Sequence, residues 1–293
     1  MQMRKAVRAR VYKFDATGEI SAGPDSLAGE EPLEIQLNGE QYTVTMRTAG
    51  HDVELIAGYL LSEAVVTSMD DIEEVNFSAG LAPDGSRNYN VAQVRLAPGI
   101  WNPETAPARN VYTSSSCGIC GTAAADAVTK TSAYPLIPGA FHVEDHGEYE
   151  FPKLLSAARI GELPDRLRQT QEIFDKTGGV HAAALFAVGD DPNTEPELLV
   201  GREDVGRHNA VDKVIGWAMA NRGLPLRQTV LQVSARASFE LVQKCAMAGI
   251  PMMSAVSAPS AMAVDHGKDV GVTVIGFNRK GRFNAYSYPE RVA

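Results

Sequence analysis

From residue 151 to the C-terminus, short apolar runs alternate with stretches of helical period, and this rhythm constrains the fold more than any other feature. A helix is expected over 153–175, closed by Gly178-Gly179. Residues 180–188 read as a buried strand, and 196–204 pair back on it across a Gly-Asp-Asp-Pro-Asn turn. Helices over 207–221, 237–248 and from about 259 then alternate with strands over 228–233, 251–256, 270–277 and 283–288. Apolar strands separated by helices imply a mainly parallel sheet covered on both faces. The opening hairpin makes that sheet mixed.

The first half reads differently. Residues 7–14 alternate as a strand, and the Gly-, Ser-, Asp- and Pro-rich residues 15–30 read as a loop. Two runs, 33–37 and 41–46, flank Asn38-Gly39, a hairpin signal. Asp52 is placed to cap a helix over 52–63, and strands are expected at 72–77, 88–96 and 109–113. An alanine-rich helix is expected over 121–130. The resulting expectation is an α/β chain, α+β overall. Residues 1–132 form a β-rich, β-grasp-like domain, 133–150 a linker, and 151–293 an α/β/α domain whose α-β-β-α-β-α-β-α-β-β order resembles the cytidine-deaminase-like fold.

A net charge of −9 argues against a general nucleic-acid binder, without excluding a local cationic pocket. The longest uncharged apolar run, 249–264, is broken by prolines and serines and falls short of the ~20 residues that cross a bilayer. The basic N-terminus lacks an apolar run after it, so no secretory signal is expected and the chain reads as cytoplasmic.

Cys117-Gly118-Ile119-Cys120-Gly121 holds two of only three cysteines, directly after Thr113-Ser114-Ser115-Ser116. Such a pair can bind a metal, cycle through a disulfide or carry sulfur, and each job needs a thiolate. Tetrahedral zinc needs four ligands, and no second Cys-x-x-Cys exists. The zinc-deaminase pattern places His-x-Glu before the cysteines, whereas His142-Val143-Glu144 follows them, and Ser116 stands where that pattern needs proline. A thioredoxin-type pair opens a long helix early in a βαβ unit, whereas this one closes a β-rich unit. The polar, glycine-rich surroundings predict a mobile loop rather than two core thiols. Cys245, mid-helix beside Ala246 and Met247, reads as a core residue.

Polar clusters gather where strands meet helices, the natural place for anion and nucleotide sites in α/β sheets. His181 enters the first strand, Arg207 and His208 open a helix, and Ser234 and Arg236 follow the next strand. Phe277-Asn278-Arg279-Lys280-Gly281-Arg282 forms a cationic turn after the last parallel strand. Arginines and small hydroxyls converging on one crevice could hold phosphates, and GDP is a reasonable probe. Simpler readings stand beside these. Asp204 caps a helix, Glu240 and Lys244 form a surface i,i+4 pair, His181 is a hydrogen-bonded core histidine, and the cationic turn is merely solvated.

Several separated motifs resemble the formate dehydrogenase accessory sulfurtransferase family (FdhD). They are Arg47-Thr48-x-Gly50-His51-Asp52, Leu60-Leu61-Ser62-Glu63, Ser116 to Gly121, Thr177 to Ala183, Glu203 to Lys213, Ser234 to Ser238 and Gly276 to Arg282. The likeness runs from about Glu31 to Arg291. It implies a cytoplasmic sulfurtransferase that accepts persulfide sulfur from a cysteine desulfurase on Cys117, with Cys120 as neighbour. It further implies delivery to the molybdenum cofactor, bis-molybdopterin guanine dinucleotide, for the catalytic subunit of formate dehydrogenase. The turn Phe277 to Arg282 corresponds to the cofactor-binding stretch, and a homodimer is implied.

Overall fold

The computed structural model describes residues 5–81, 87–102, 112–113, 129–137 and 151–293. The chain opens with β1 (Ala6–Phe14) and β2 (Ile20–Ala28), an antiparallel ribbon. Residues 20–28 are therefore a strand and not the expected loop. The reversal is built by Asp15, whose carboxylate accepts the N–H groups of Thr17 and Glu19, with Gly18 at positive φ. Pro24 and Gly23 are tolerated because this two-stranded ribbon is exposed and has open edges.

The next unit is a five-stranded mixed sheet in the order β5-β6-β3-β4-β7. Its strands are β3 (Glu31–Leu37), β4 (Glu40–Arg47), β5 (Ile72–Leu81), β6 (Arg87–Leu96) and the short β7 (Tyr112–Thr113). The expected hairpin joins β3 to β4, with Asn38 and Gly39 both at positive φ, as a two-residue turn of the hairpin-favouring hand requires. Helix α1 (Asp52–Ser62) follows β4. Asp52 does not cap it. His51 occupies the cap position, and the buried Asp52 carboxylate instead takes both the Nε and Nη2 of Arg47, at 3.1 Å each.

The expected helix over 153–175 is two helices, α2 (Ala157–Arg168) and α3 (Glu172–Thr177). The Glu203 carboxylate accepts the N–H groups of Ile173 and Phe174 and so starts a new helix there. The remaining elements follow the expected order: β8 (His181–Ala187), β9 (Glu197–Asp204), α4 (Arg207–Asn221), β10 (Thr229–Val233), α5 (Phe239–Ala248), β11 (Met252–Ala255), α6 (Ala261–Val270), β12 (Thr273–Arg279) and β13 (Arg282–Ala285). They build a six-stranded mixed sheet, β13-β12-β11-β10-β8-β9, with β10, β11 and β12 parallel and the others antiparallel to their neighbours. Alternate residues serve opposite faces. Ala182, Ala184, Phe186, Val230 and Ile275 meet Ile160, Leu163 and Leu167 of α2. Ala183, Leu185, Leu231, Val233 and Val274 belong to a larger core with α4 and α5, which continues through α1 to Leu33, Ile35 and Val94 of the five-stranded sheet. Cys245 is fully buried in that core, as its surroundings in sequence imply, and burial pushes its thiol pKa up. Thr129 and Lys130 are not helical, and the rest of the helix expected over 121–130 lies outside the described residues, as do Cys117 and Cys120. Among the described residues no helix is long and apolar enough to cross a membrane.

Helices α1 and α4 touch backbone to backbone. A Cβ on Gly58 would lie 2.0 Å from the Asp212 carbonyl oxygen, and one on Gly216 would lie 1.9 Å from that of Glu54. Alanine usually stabilises a helix interior relative to glycine by about 1 kcal/mol. At Gly216 the sign should reverse, with Gly216→Ala costing about 1–3 kcal/mol or more through overpacking. Urea unfolding of that variant, with Gly189→Ala at an open position as control, measures the difference.

Candidate functional site

Parallel strands β10, β11 and β12 all end on one edge of the six-stranded sheet, and antiparallel β8 begins there. That edge carries a cleft of about 670 Å³. Four of the residues singled out from sequence line it: His181, Ser234, Arg279 and Lys280. Helix α2 supplies a wall through Pro164, Asp165 and Arg168. An adjoining depression of about 490 Å³ shares Arg279 and Lys280 and adds Phe277 and Arg282. The cationic turn thus borders both spaces.

The turn is held by its backbone. Arg279 pairs with Arg282, and Lys280 and Gly281 between them both have positive φ. Phe277 also has positive φ, at a register shift between Gly276 and Arg279, and its N–H donates to the Ser257 carbonyl. Such a bulge re-aims side chains at a strand end. It leaves Phe277 exposed and turns Asn278 inward, where it is fully buried.

Asn278 does not face the cleft. Its Nδ2 donates to the Ile160 carbonyl at 2.7 Å and to Ser254 Oγ at 2.9 Å. The Ile160 carbonyl is special because Pro164, four residues on inside α2, has no N–H to give it. The asparagine supplies the missing donor and fastens the turn to the α2 wall. Gly161 reinforces the contact, since a Cβ there would lie 3.2 Å from the Gly281 Cα. Nothing in the sequence links Pro164 with a residue more than a hundred positions away.

His181 is half-buried on the cleft wall and is not the enclosed core histidine that its strand suggests. Burial, followed by the nearby charges of Arg207 and His208, lowers its pKa, so the imidazole is neutral at physiological pH. The Ser234 hydroxyl accepts the Ala182 N–H at 2.9 Å, which ties the loop after β10 to the start of β8. Arg207 and His208 open α4. Among the described residues the buried Arg207 Nε has no hydrogen-bond partner. His208 is buried with its Nε2 3.6 Å from Glu240, a charge contact longer than a hydrogen bond. The proximity of His208 outweighs burial and holds the Glu240 carboxyl down at about 2. Arg236 is exposed on the loop after β10 and lines neither space.

The expected surface pair of Glu240 and Lys244 does not form. Lys244 is buried and donates to both oxygens of Asp212, at 2.7 and 2.8 Å, and Ser62 Oγ donates to the same carboxylate. Asp204 is not the cap of α4, a position that Gly206 holds without a side-chain capping bond. Fully buried, it pairs with Lys213 at 2.7 Å and accepts the N–H groups of Thr48 and Gly206 and the Asn209 amide. Burial raises the pKa of both Asp204 and Asp212 against the pull of their lysines. The quoted motifs contain Ser62, Asp204, Asp212 and Lys213 but not Lys244, and only the fold shows which of them pair with one another. Among the described residues no three His, Cys, Asp or Glu side chains gather as a metal-ligand set.

Comparison with known proteins places this architecture. The chain is 47% identical over 292 residues to the sulfur carrier protein FdhD of Streptomyces coelicolor, covering all of this chain and 95% of that one. It is 47% identical over 290 residues to the sulfur carrier protein FdhD of Mycolicibacterium paratuberculosis, covering 99% of this chain and all of the other. A crystal structure from Desulfotalea psychrophila, assigned provisionally as a formate dehydrogenase accessory protein, shares the fold with a TM-score of 0.68 at 22% identity, covering 99% of this chain and all of that one. Residues 28–293 match the FdhD/NarQ family, and the chain belongs to that family.

Proposed function

We propose that the chain is a sulfur carrier in formate dehydrogenase maturation. It takes sulfur from a cysteine desulfurase as a persulfide on Cys117, with Cys120 beside it in sequence. It presents that sulfur to bis-molybdopterin guanine dinucleotide, held as a substrate, before the cofactor enters the catalytic subunit of formate dehydrogenase. The relatives named sulfur carrier protein support the transfer. The observation that carries the substrate reading is the cleft at the strand ends, with Arg279 and Lys280 on its rim although the protein as a whole is acidic. Phosphates of a guanine dinucleotide suit such a rim. His181, Ser234, Phe277 and Arg282 border the same spaces, while Asn278 and Gly281 shape the turn. Arg207 lends positive charge beside His181. His208 and Arg236 stand away from the rim and contribute less directly.

The thiol has a short tether. Thr113 of β7 is opposite Thr45 of β4, and Thr45 contacts Asn209 in the first turn of α4. Cys117 follows Thr113 by four residues, a contour of at most about 14 Å. Sulfur loading and cofactor binding then occur on one molecule, for which we also propose a homodimeric state and a cytoplasmic location.

Incubation with a cysteine desulfurase and cysteine should add the mass of one sulfur atom per transfer. Cys117→Ala should abolish both this gain and formate dehydrogenase maturation while the protein still folds. A mass gain that survives in Cys117→Ala, bound zinc without any gain, or simple loss of two protons would each defeat the carrier assignment.

GDP should bind the cleft as a partial mimic of the cofactor. A charge-assisted phosphate contact contributes roughly 1.5–3 kcal/mol when well formed. The rim is exposed, so Lys280→Ala and Arg279→Ala should each weaken GDP binding by about ten-fold, the lower end of that range. Calorimetric titration at fixed ionic strength decides, and affinities equal to wild type would remove the turn from the site.

A further inference from the structure

The ribbon of β1 and β2 presents a face that its own molecule leaves open. Five of the ten large apolar side chains exposed among the described residues belong to it, so exposed apolar surface concentrates there. All but its last residue precede the stretch that matches the family. Its base is anchored. The Gly29 N–H donates to the Lys5 carbonyl, Ala28 lies beside Gly179, and α3 packs against both strands. Toward the free end the register sorts the side chains. Arg8, Arg10, Tyr12 and Phe14 share one face with Ile20 and Pro24, because Phe14 is opposite Ile20 and Arg10 opposite Pro24. Arg10 lies over the Tyr12 ring, 5.9 Å from its centre. Tyr12, Phe14 and Ile20 are 63, 68 and 58% exposed. No acid stands on this face. Asp25 is opposite Ala9 on the other one, and Asp15 and Glu19 lie in the reversal. Arginine and aromatic rings without acids have the composition of an interface core. A two-stranded ribbon is also marginal by itself, and both edges of this one are open.

A complementary surface lies at the far end of β8 and β9. Asp190, Asp191 and Glu197 are exposed there, with no ion pair among the described residues. The cations nearby are committed, Arg159 to Glu162 and Arg166 to Glu195. Leu198, 36% exposed, adds an apolar spot on β9, an edge strand of the six-stranded sheet. The ribbon's base is at Gly179, just ahead of β8, whereas Asp190 follows the end of β8. Within one molecule the two surfaces do not meet, as the exposure of Tyr12, Phe14 and Ile20 shows.

We propose that the ribbon of one copy docks on the acidic β8–β9 end of a second copy, and reciprocally, an inference that rests on the homodimeric state proposed above. Charge selects this occupant. Residues 5–14 carry four cations and no acid, in a chain whose net charge is −9. Pairing ribbon with ribbon would instead set Arg8 and Arg10 of one copy against those of the other, and like charges opposite each other destabilise a sheet. About a two-fold axis each copy gives one ribbon and receives one, so both contacts form together and the assembly closes as a dimer.

The full-length protein is followed by sedimentation velocity across the micromolar range, at low and high salt, and by native mass spectrometry. Wild type should dimerise, and less tightly at high salt, where exposed charges are screened. Arg8→Glu with Arg10→Glu, and separately Asp190→Lys with Glu197→Lys, should each weaken the dimer by about a hundred-fold at low salt, since each sets like charges against one another. Mixing the two variants should restore a one-to-one dimer, because the reversed ribbon then meets the reversed acidic end and the unreversed pair keeps its match. Tyr12→Ser with Phe14→Ser should weaken the dimer at both salt concentrations, as loss of aromatic anchors does. A wild type that stays monomeric throughout defeats the homodimeric state and this inference with it. A wild-type dimer whose affinity any of the three variants retains, or charge variants that stay apart when mixed, defeats the docking alone.

Discussion

The crossing of α1 and α4 governs the rest of the molecule. Gly58 and Gly216 let the two backbones meet where any larger residue would collide with a carbonyl. On either side of that contact, Leu55, Ile56 and Leu60 of α1 join Val211, Val214 and Ile215 of α4 in one apolar core. Around the crossing, buried polar groups satisfy one another: Ser62 of α1 donates to Asp212 of α4, Asp212 also takes Lys244, Asp204 pairs with Lys213, and Arg47 pairs with Asp52 and Asn90. Removing one member of such a buried pair strands the other charge and typically costs about 3–5 kcal/mol, so the seam sets geometry rather than adding easy stability. Through it the two sheets share one apolar core.

Both clefts inherit their positions from this seam. Asp204 ends β9 and organises the start of α4, which brings Arg207 up to His181 at the edge of the strand-end cleft. Lys213 reaches from α4 to the Thr48 carbonyl just ahead of Gly50 and His51, on the border of a second cleft of about 350 Å³ between the start of α1, α3 and β9. One set of ion pairs therefore fixes two different polar spaces on either side of α3. Electrostatics at the two spaces differ. The first presents arginine and lysine on its rim, and the second presents His51 beside the Glu54 carboxylate that Arg202 holds.

Element order was legible from period and turn chemistry alone. The strands β8 to β12, helices α4 to α6 and the Asn38-Gly39 hairpin all stand where the sequence puts them, because each has its own local signal. What could not be read depends on partners distant in sequence. The break between α2 and α3 is made by Glu203, thirty residues on. Asp52 reads as a cap until Arg47 claims it, and Lys244 reads as a surface residue until Asp212 of another helix draws it in. The ribbon strand β2 lacks an alternating face because little of it is buried, so period had nothing to report. Of the candidate site, His181, Ser234, Arg279 and Lys280 do converge, because strand ends are predictable meeting points. Asn278 sits in the same motif yet faces the interior, a distinction made by a bulge that residue identities do not reveal.

The proline in α2 makes the cleft wall conditional on the turn. With no amide hydrogen at Pro164, the Ile160 carbonyl needs its donor from Asn278. The helix cannot be completed by its own residues, and the turn cannot retreat without leaving an acceptor bare in the interior. Wall and rim therefore form one unit, and the cleft between them depends on contacts from the chain's final strands. Without β12 and the turn after it, α2 would lack the donor for its open carbonyl and the cleft would lack Arg279 and Lys280.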